Sequence, residues 1–203
     1  MEIQQGYDLW SAHYAREKNP IKSASDDAVR KMLPDLKGKS VIDAGCGTGF
    51  FCEYAEQMGA ESVTGIDFSE GMIKEAMQNC KRTHFIKTEI LNLQLDQSAD
   101  VIICALVLGH INDLRGALSA LAGNLKDMGV LVLTDFHPVL SEQGQKRTFQ
   151  IGGKTFEIPH HIHTLEEYGN ILKELGLTIE EMKDLNWKGA PVVFALRARK
   201  NPV

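Results

Sequence analysis

Between Ser40 and Phe50 the chain reads SVIDAGCGTGF, in which an apolar strand runs into Asp43 and then into three alternating glycines, Gly45, Gly47 and Gly49. Without side chains, those glycines let the backbone take positive φ angles and approach a ligand to contact distance. A helix entered from such a turn aims its unpaired N-terminal amides at whatever is bound. The segment therefore reads as the strand, turn and helix that open an α/β nucleotide-binding sheet.

The spacing narrows the ligand. A dinucleotide fingerprint reads GxGxxG and cradles a pyrophosphate. Here the glycines follow GxGxG, and Asp43 stands at the strand end, where it repels an anion and attracts an ammonium or sulfonium group. A carboxylate on the same ligand is still able to accept helix-start amides. Together these describe the amino-acid half of S-adenosylmethionine. A second short strand, Val63 to Ile66, ends in Asp67, 24 positions after Asp43, close to the roughly 20-residue offset of a ribose-binding acid in a βαβ unit. Two acids are thus expected to bracket one crevice.

With VIDAGCGTG followed by GIDFSEGMI, the chain resembles the class I S-adenosylmethionine-dependent methyltransferases, most of all their small-molecule type 11/type 25 domain. The resemblance extends over residues 35–198. FIKTEILNL (Phe85 to Leu93) resembles the segment that receives adenine, which implies Glu89 and Ile90 as the contacting pair. DVIICALVLGHIND (Asp100 to Asp113) resembles the fourth strand and its histidine-bearing tail, and GVLVLTD (Gly129 to Asp135) the fifth strand. The implied cofactor contacts are Asp43, Gly45, Cys46, Gly47, Gly49, Asp67, Phe68, Met72, Glu89, Ile90, Ala105 and Leu106. A purely structural glycine turn and a hydride-transferring Rossmann enzyme are the alternatives for the loop.

The implied fold is a Rossmann-like α/β domain: a seven-stranded, mostly parallel sheet with helices on both faces and an antiparallel last strand. At 203 residues the chain suits one core. Within that single domain, residues 1–37 are expected to form a helical lid, 38–140 the cofactor-binding core, 141–163 a substrate-side insertion, and 164–203 a final helix and strand pair. Helical periodicity marks Ser25 to Leu36, with Ser25 as cap and Pro34 disturbing the last turn, then Phe50 to Met58, Gly71 to Cys80, Leu114 to Leu125 and Leu165 to Leu175. Apolar runs at Val101 to Leu108 and Val130 to Leu133 suit strands covered on both faces. Leu177 to Leu185 and Val192 to Arg199 read as the closing pair.

Composition limits the partners. Net charge is −5, whereas a nucleic-acid binder presents a basic face, and only Lys146, Arg147 and Lys154 make a local basic group. The DPPY or NPPY tetrapeptide of amino-methylating nucleic-acid enzymes is replaced by Cys104-Ala105-Leu106-Val107. No apolar run approaches a membrane span, and the polar first twenty residues lack a signal-peptide core, so the expectation is a cytoplasmic enzyme without membrane association, with a homodimer as a compatible assembly. Cys46, Cys52, Cys80 and Cys104 lack CxxC spacing and read as reduced thiols.

The reacting side is expected beyond the fourth and fifth strands. His110 and His137 are the candidate bases, each with a structural histidine as the alternative. Tyr14 and Trp10, with Tyr7 at helical spacing, are the lid aromatics that the resemblance places near the transferred methyl. His160, His161 and His163 lie in the insertion, without the helical spacing of a metal site, and no metal is expected. The expected activity is methyl transfer to O or N of a small metabolite; the alternatives are a protein methyltransferase and a non-catalytic regulator that binds S-adenosylmethionine or S-adenosylhomocysteine.

Overall fold

The computed structural model describes residues 6–8, 11, 19–142, 148–151 and 154–202. In chain order the elements are α1 (Pro20–Met32), β1 (Ser40–Ala44), α2 (Phe50–Gln57), β2 (Ser62–Asp67), α3 (Glu70–Asn79), β3 (His84–Lys87) and β4 (Ala99–Ala105). They continue with α4 (Leu114–Gly123), β5 (Leu125–Phe136), α5 (Pro138–Glu142), β6 (Thr148–Ile151), β7 (Lys154–Glu157), α6 (Leu165–Glu174), β8 (Leu177–Trp187) and β9 (Ala190–Lys200). Two 3₁₀ turns, Ile90–Asn92 and Leu108–His110, follow β3 and β4.

Helix α1 starts earlier than its periodicity suggests. Asn19 caps it, its Oδ1 accepting from the amides of Ile21 and Lys22 at 3.0 and 3.1 Å, and Pro20 occupies a first-turn position that needs no amide partner. Ser25, expected as the cap, is buried inside the helix with its Oγ 2.7 Å from Thr134 Oγ1. The helix stops at Met32, and Leu33 adopts ψ 141°, the extended conformation favoured before Pro34.

The main sheet has the order β3-β2-β1-β4-β5-β9-β8. Strands β1 to β5 pair in parallel, and β9 is antiparallel to both β5 and β8, so the last strand runs against the other six. Alternation along the strands supplies two cores. Ile42, Ile102, Cys104, Leu131 and Leu133 face α4 and α6, against Leu118, Leu121 and Leu172. Val41, Val101, Ile103, Val130 and Val132 face α1 and α2, against Val29, Met32, Phe51 and Ala55. Burial of each such side chain stabilises by about 1.5–3 kcal/mol, which explains why β4 and β5 read as continuous apolar runs. The fourth strand stops at Ala105, before its apolar run ends, and β5 is longer than Val130 to Leu133 because β9 pairs along it through Phe136.

After β1 the chain moves outward to β2 and β3, then returns to the other side of β1 as β4. That reversal opens a crevice at the carboxyl ends of β1 and β4. Strands β6 and β7 pair with each other as a separate antiparallel two-stranded sheet.

Candidate active site

The glycine turn is shaped by contacts that exclude side chains. Gly45, Gly47 and Gly49 have φ of 78°, 51° and 86°, and the amides of Gly45 and Cys46 both donate to the Ile66 carbonyl at 2.7 and 2.8 Å. A Cβ on Gly45 would lie 2.3 Å from Val107 Cγ2. The turn is thereby drawn against the end of β2, where Asp67 stands. Its Oδ2 accepts the Gly47 amide at 2.9 Å and its Oδ1 the Ser69 amide at 2.8 Å. Ser69 in turn caps α3, accepting from the Met72 amide, and donates to Asp8 Oδ1 at 2.6 Å. Burial pushes the Asp67 carboxyl up to about 6, against the opposing amide bonds from Ser69, Gly47 and Phe68.

Asp43 has a different place from the one expected. Strand alternation puts it on the same side of β1 as Val41, and it is buried beneath the loop, with Cys52 Sγ donating to its Oδ2 at 3.4 Å. Burial raises its carboxyl to about 7, the Cys52 bond opposes this, and the charge of Asp67 adds to it. Asp67 faces the crevice; Asp43 does not line it.

The crevice is a cavity of about 920 Å³. One part is lined by Gly45, Gly47, Asp67, Phe68 and Met72, continuing to Glu89 and Ile90 and across to Ala105 and Leu106. Cys46, Gly49 and His137 do not line it. Leu106 is held at φ 59°, its amide donating to the Thr134 carbonyl at 2.8 Å. A non-glycine residue in that region carries roughly 1–3 kcal/mol of strain, tolerated where surrounding structure fixes it. The donor set suits the group implied by the resemblance. Amide-held Asp67 offers lone pairs to ribose hydroxyls, Glu89 an acceptor for an exocyclic amine, Phe68, Met72 and Ile90 apolar walls for a flat base, and the Gly45–Gly47 backbone a cradle that a side chain would fill.

The other part of the cavity is lined by Tyr7, Ile111, Asn112, Pro159, His161 and His110. Tyr7 Oη lies 2.8 Å from His110 Nε2, and His110 Nδ1 lies 3.2 Å from the Pro159 carbonyl oxygen. A carbonyl only accepts, so in the neutral ring Nδ1 carries the proton and Nε2 accepts from the Tyr7 hydroxyl. The 3₁₀ turn bearing His110 is clamped on both sides. Asp135, buried, accepts the Gly109 amide and the Tyr168 hydroxyl, while the Gly109 carbonyl accepts the His161 amide at 2.6 Å. His163 Nε2 donates to the Ile111 carbonyl at 2.8 Å. Two of the three clustered histidines therefore brace this turn, and among the described residues no group of three His, Cys, Asp or Glu side chains is arranged to hold a metal.

His137, expected at the crevice mouth, sits elsewhere. Its amide donates to the Val192 carbonyl, its Nδ1 accepts from the Val139 amide at 3.3 Å, and its Nε2 is 3.6 Å from Asp184 Oδ1. Pairing of β5 with β9 through Phe136 carries the following residue toward β8 and away from the cavity. Tyr14 and Trp10 lie outside the described residues, as do Lys146 and Arg147. Tyr7 was legible only as an aromatic at helical spacing; nothing in the sequence pairs it with a histidine 103 positions away.

A family model described as a methyltransferase domain matches residues 12–182. The demethylmenaquinone methyltransferase of Tropheryma whipplei is 37% identical over 115 residues, covering 55% of this chain and 48% of that one. The malonyl-[acyl-carrier protein] O-methyltransferase of Bacillus anthracis is 34% identical over 140 residues, covering 66% and 52%. The chain thus spans about half the length of these curated relatives. A solved structure of similar length is the magnesium protoporphyrin IX methyltransferase of Synechocystis PCC 6803 with bound S-adenosylhomocysteine. It superposes with a TM-score of 0.73 at 25% identity, covering 98% of this chain and 95% of that one.

Proposed function

The chain belongs to the methyltransferase-domain family, and on that footing we propose that it transfers a methyl group from S-adenosylmethionine to an oxygen or nitrogen of a small-molecule acceptor. The observation that carries this reading is one cavity with two differently equipped ends: amide-held Asp67 and the glycine cradle at one, the Tyr7–His110 pair at the other. The relatives named for demethylmenaquinone, a carrier-bound malonyl group and a porphyrin support a small or carrier-borne acceptor.

S-adenosylmethionine, when bound, supplies an electrophilic methyl group on a sulfonium that is already a good leaving group. The chain's contribution is therefore placement and proton transfer. Asp67, Gly45 and Gly47 hold the cofactor, with Glu89 and Ile90 at its adenine end. The walls formed by Ile111, Asn112, Pro159 and His161 set the acceptor in line with the methyl carbon, a positioning effect worth up to roughly 7–11 kcal/mol. An acceptor hydroxyl loses a proton as its lone pair attacks, and an acceptor ammonium must lose one before it has a lone pair to attack with. His110 Nε2 takes that proton through the Tyr7 oxygen, and the Pro159 carbonyl stabilises the imidazolium by accepting from Nδ1.

Calorimetric titration with S-adenosylhomocysteine, paired with Asp67→Ala, tests the cofactor end. Micromolar binding that disappears in the variant supports the assignment, and absence of binding to the unaltered chain rejects it. Transfer of labelled methyl to panels of hydroxyl- and amine-bearing metabolites and of peptides then tests the acceptor class. Labelling confined to peptides would sink the small-molecule reading, and binding without transfer to any acceptor would favour a regulator.

A further inference from the structure

A helical stretch ahead of α1 carries two adjacent side chains with different destinations. Residues 6–8 are helical, and successive side chains on a helix diverge by about 100°. Tyr7 lines the cavity, its ring meeting those of Phe68 and His110 edge-on with centroids 5.9 and 5.5 Å apart, and its Oη 2.8 Å from His110 Nε2. Asp8 does not line the cavity. It reaches the start of α3.

The first turn of a helix carries amides without intrahelical partners. At α3, Ser69 Oγ accepts the Met72 amide at 3.1 Å, and Asp8 Oδ1 accepts the Gly71 amide at 3.0 Å and the Ser69 hydroxyl at 2.6 Å. Asp8 thus completes this cap from 61 positions away in the chain, with a charge that suits a helix N-terminus. Its main chain is tied as well, since the Asp8 carbonyl accepts from the hydroxyl of buried Ser11 at 2.9 Å. The approach needs a bare position 71: a Cβ on Gly71 would lie 2.8 Å from Ser11 Oγ and 3.1 Å from the Asp8 carbonyl oxygen. Ser69 also donates its amide to Asp67 Oδ1 at 2.8 Å. One residue therefore holds Asp67 by its backbone and Asp8 by its side chain.

We propose that Asp8 is a positioning residue, which closes the cap of α3 and thereby seats the Tyr7 hydroxyl against His110 Nε2. Asp8 acts through Tyr7, its neighbour in the chain. Released from α3, the same stretch would carry the phenol away from the imidazole and leave Nε2 to water.

The catalytic consequence rests on the proton relay proposed above; the seating does not. Full-length protein with isotope-labelled histidine is compared with Tyr7→Phe, Asp8→Ala and Asp8→Asn by ring-nitrogen NMR at about pH 8, where an ordinary imidazole is neutral. His110→Gln identifies the signal. Asp8→Ala is expected to move the His110 Nε2 resonance in the same direction as Tyr7→Phe. Asp8→Asn should restore it, because an amide oxygen still accepts both bonds. Asp8 is exposed, so water competes for its bonds and the expected effect on turnover is about tenfold. That fall in kcat is read with the hydroxyl-bearing acceptor that labels fastest in the panel above, and in a Tyr7→Phe background Asp8→Ala should lower kcat no further. Affinity for S-adenosylhomocysteine should stay within about twofold, since the Asp67 bonds to the Gly47 and Ser69 amides remain. A His110 signal that stays put in Asp8→Ala overturns the seating, as does a loss of kcat that adds to that of Tyr7→Phe. A signal that moves with kcat unchanged leaves the seating standing and rejects the relay, whereas no S-adenosylhomocysteine binding by the unaltered chain rejects the cofactor assignment alone.

Discussion

Affinity for S-adenosylhomocysteine should depend on pH through Asp67 and not through Asp43. Asp67 accepts two backbone amides and offers its remaining lone pairs to the cavity, so the carboxylate is the form that receives ribose hydroxyls. Its carboxyl is raised to about 6, while that of Asp43, beneath the turn, is raised to about 7. If only the carboxylate of Asp67 binds, affinity is nearly constant above pH 7, and falls about tenfold between pH 7 and pH 5, or about 1.4 kcal/mol. Stability of the free protein has the opposite sign. Because the folded pKa lies above the ordinary 3.8, the folded state holds its proton more tightly. Stability is therefore greatest in acid and declines as pH rises from 3.8 through about 6, by roughly 3 kcal/mol for Asp67. Titration calorimetry from pH 5 to 8 measures the affinity trend, and denaturant melts from pH 4 to 8 in an Asp43→Asn background, which removes the second raised carboxyl, measure the stability trend. Flat affinity, or a midpoint near pH 7 that Asp43→Asn abolishes, would refute the reasoning and return Asp43 to the ligand.

Four further outcomes follow from particular contacts. Gly45→Ala places a Cβ 2.3 Å from Val107 at φ 78°, so denaturant melts should show a loss of about 1–2 kcal/mol, and titration calorimetry a cofactor affinity weakened more than the melting shift explains. Tyr7→Phe removes the hydroxyl that bonds His110 Nε2 and should lower kcat about a hundredfold with an acceptor that must lose a proton, leaving cofactor affinity unchanged; equal kcat in stopped assays would exclude the relay. Asn19→Ala removes the α1 cap and should cost about 1 kcal/mol, and Ser25→Ala about 1–2 kcal/mol by stranding the buried Thr134 hydroxyl; chemical denaturation compares the two directly.

The strands and the turn were legible because their signals are local. Alternation of Val101, Ile102, Ile103 and Cys104 between two buried faces forces an unbroken apolar run, and Gly45 must be glycine because of its own φ and its own missing Cβ. Asp67 is legible for a similar reason, standing at a strand end with Ser69 as the cap that follows. What escaped depends on distant pairing. Asp43 looks like a ligand contact in sequence, and only the packing of α2 against β1 shows it facing Cys52. His137 and His110 read alike as histidines after strands. They separate because β9 pairs with β5 up to Phe136 and draws His137 away, while Asp135 and the His161 amide hold the turn bearing His110 against the cavity. At the start of α1 the sequence offers two caps, and Asn19 before Pro20 takes the place that Ser25 suggests, because its side chain reaches two free amides while Ser25 is buried against Thr134.

The proton on His110 is placed by the carbonyl of Pro159, a group that every amino acid carries. A survey of side-chain substitutions at position 159 would therefore score the site by its wall contact alone and miss its electronic role. Shortening the segment around it by a residue would move that oxygen, release Nδ1 to exchange its proton with Nε2, and turn a proton acceptor into a donor without altering one side chain in the cavity. Exchanging this stretch between related chains is thus a way to change what the imidazole does while keeping every residue that touches the acceptor.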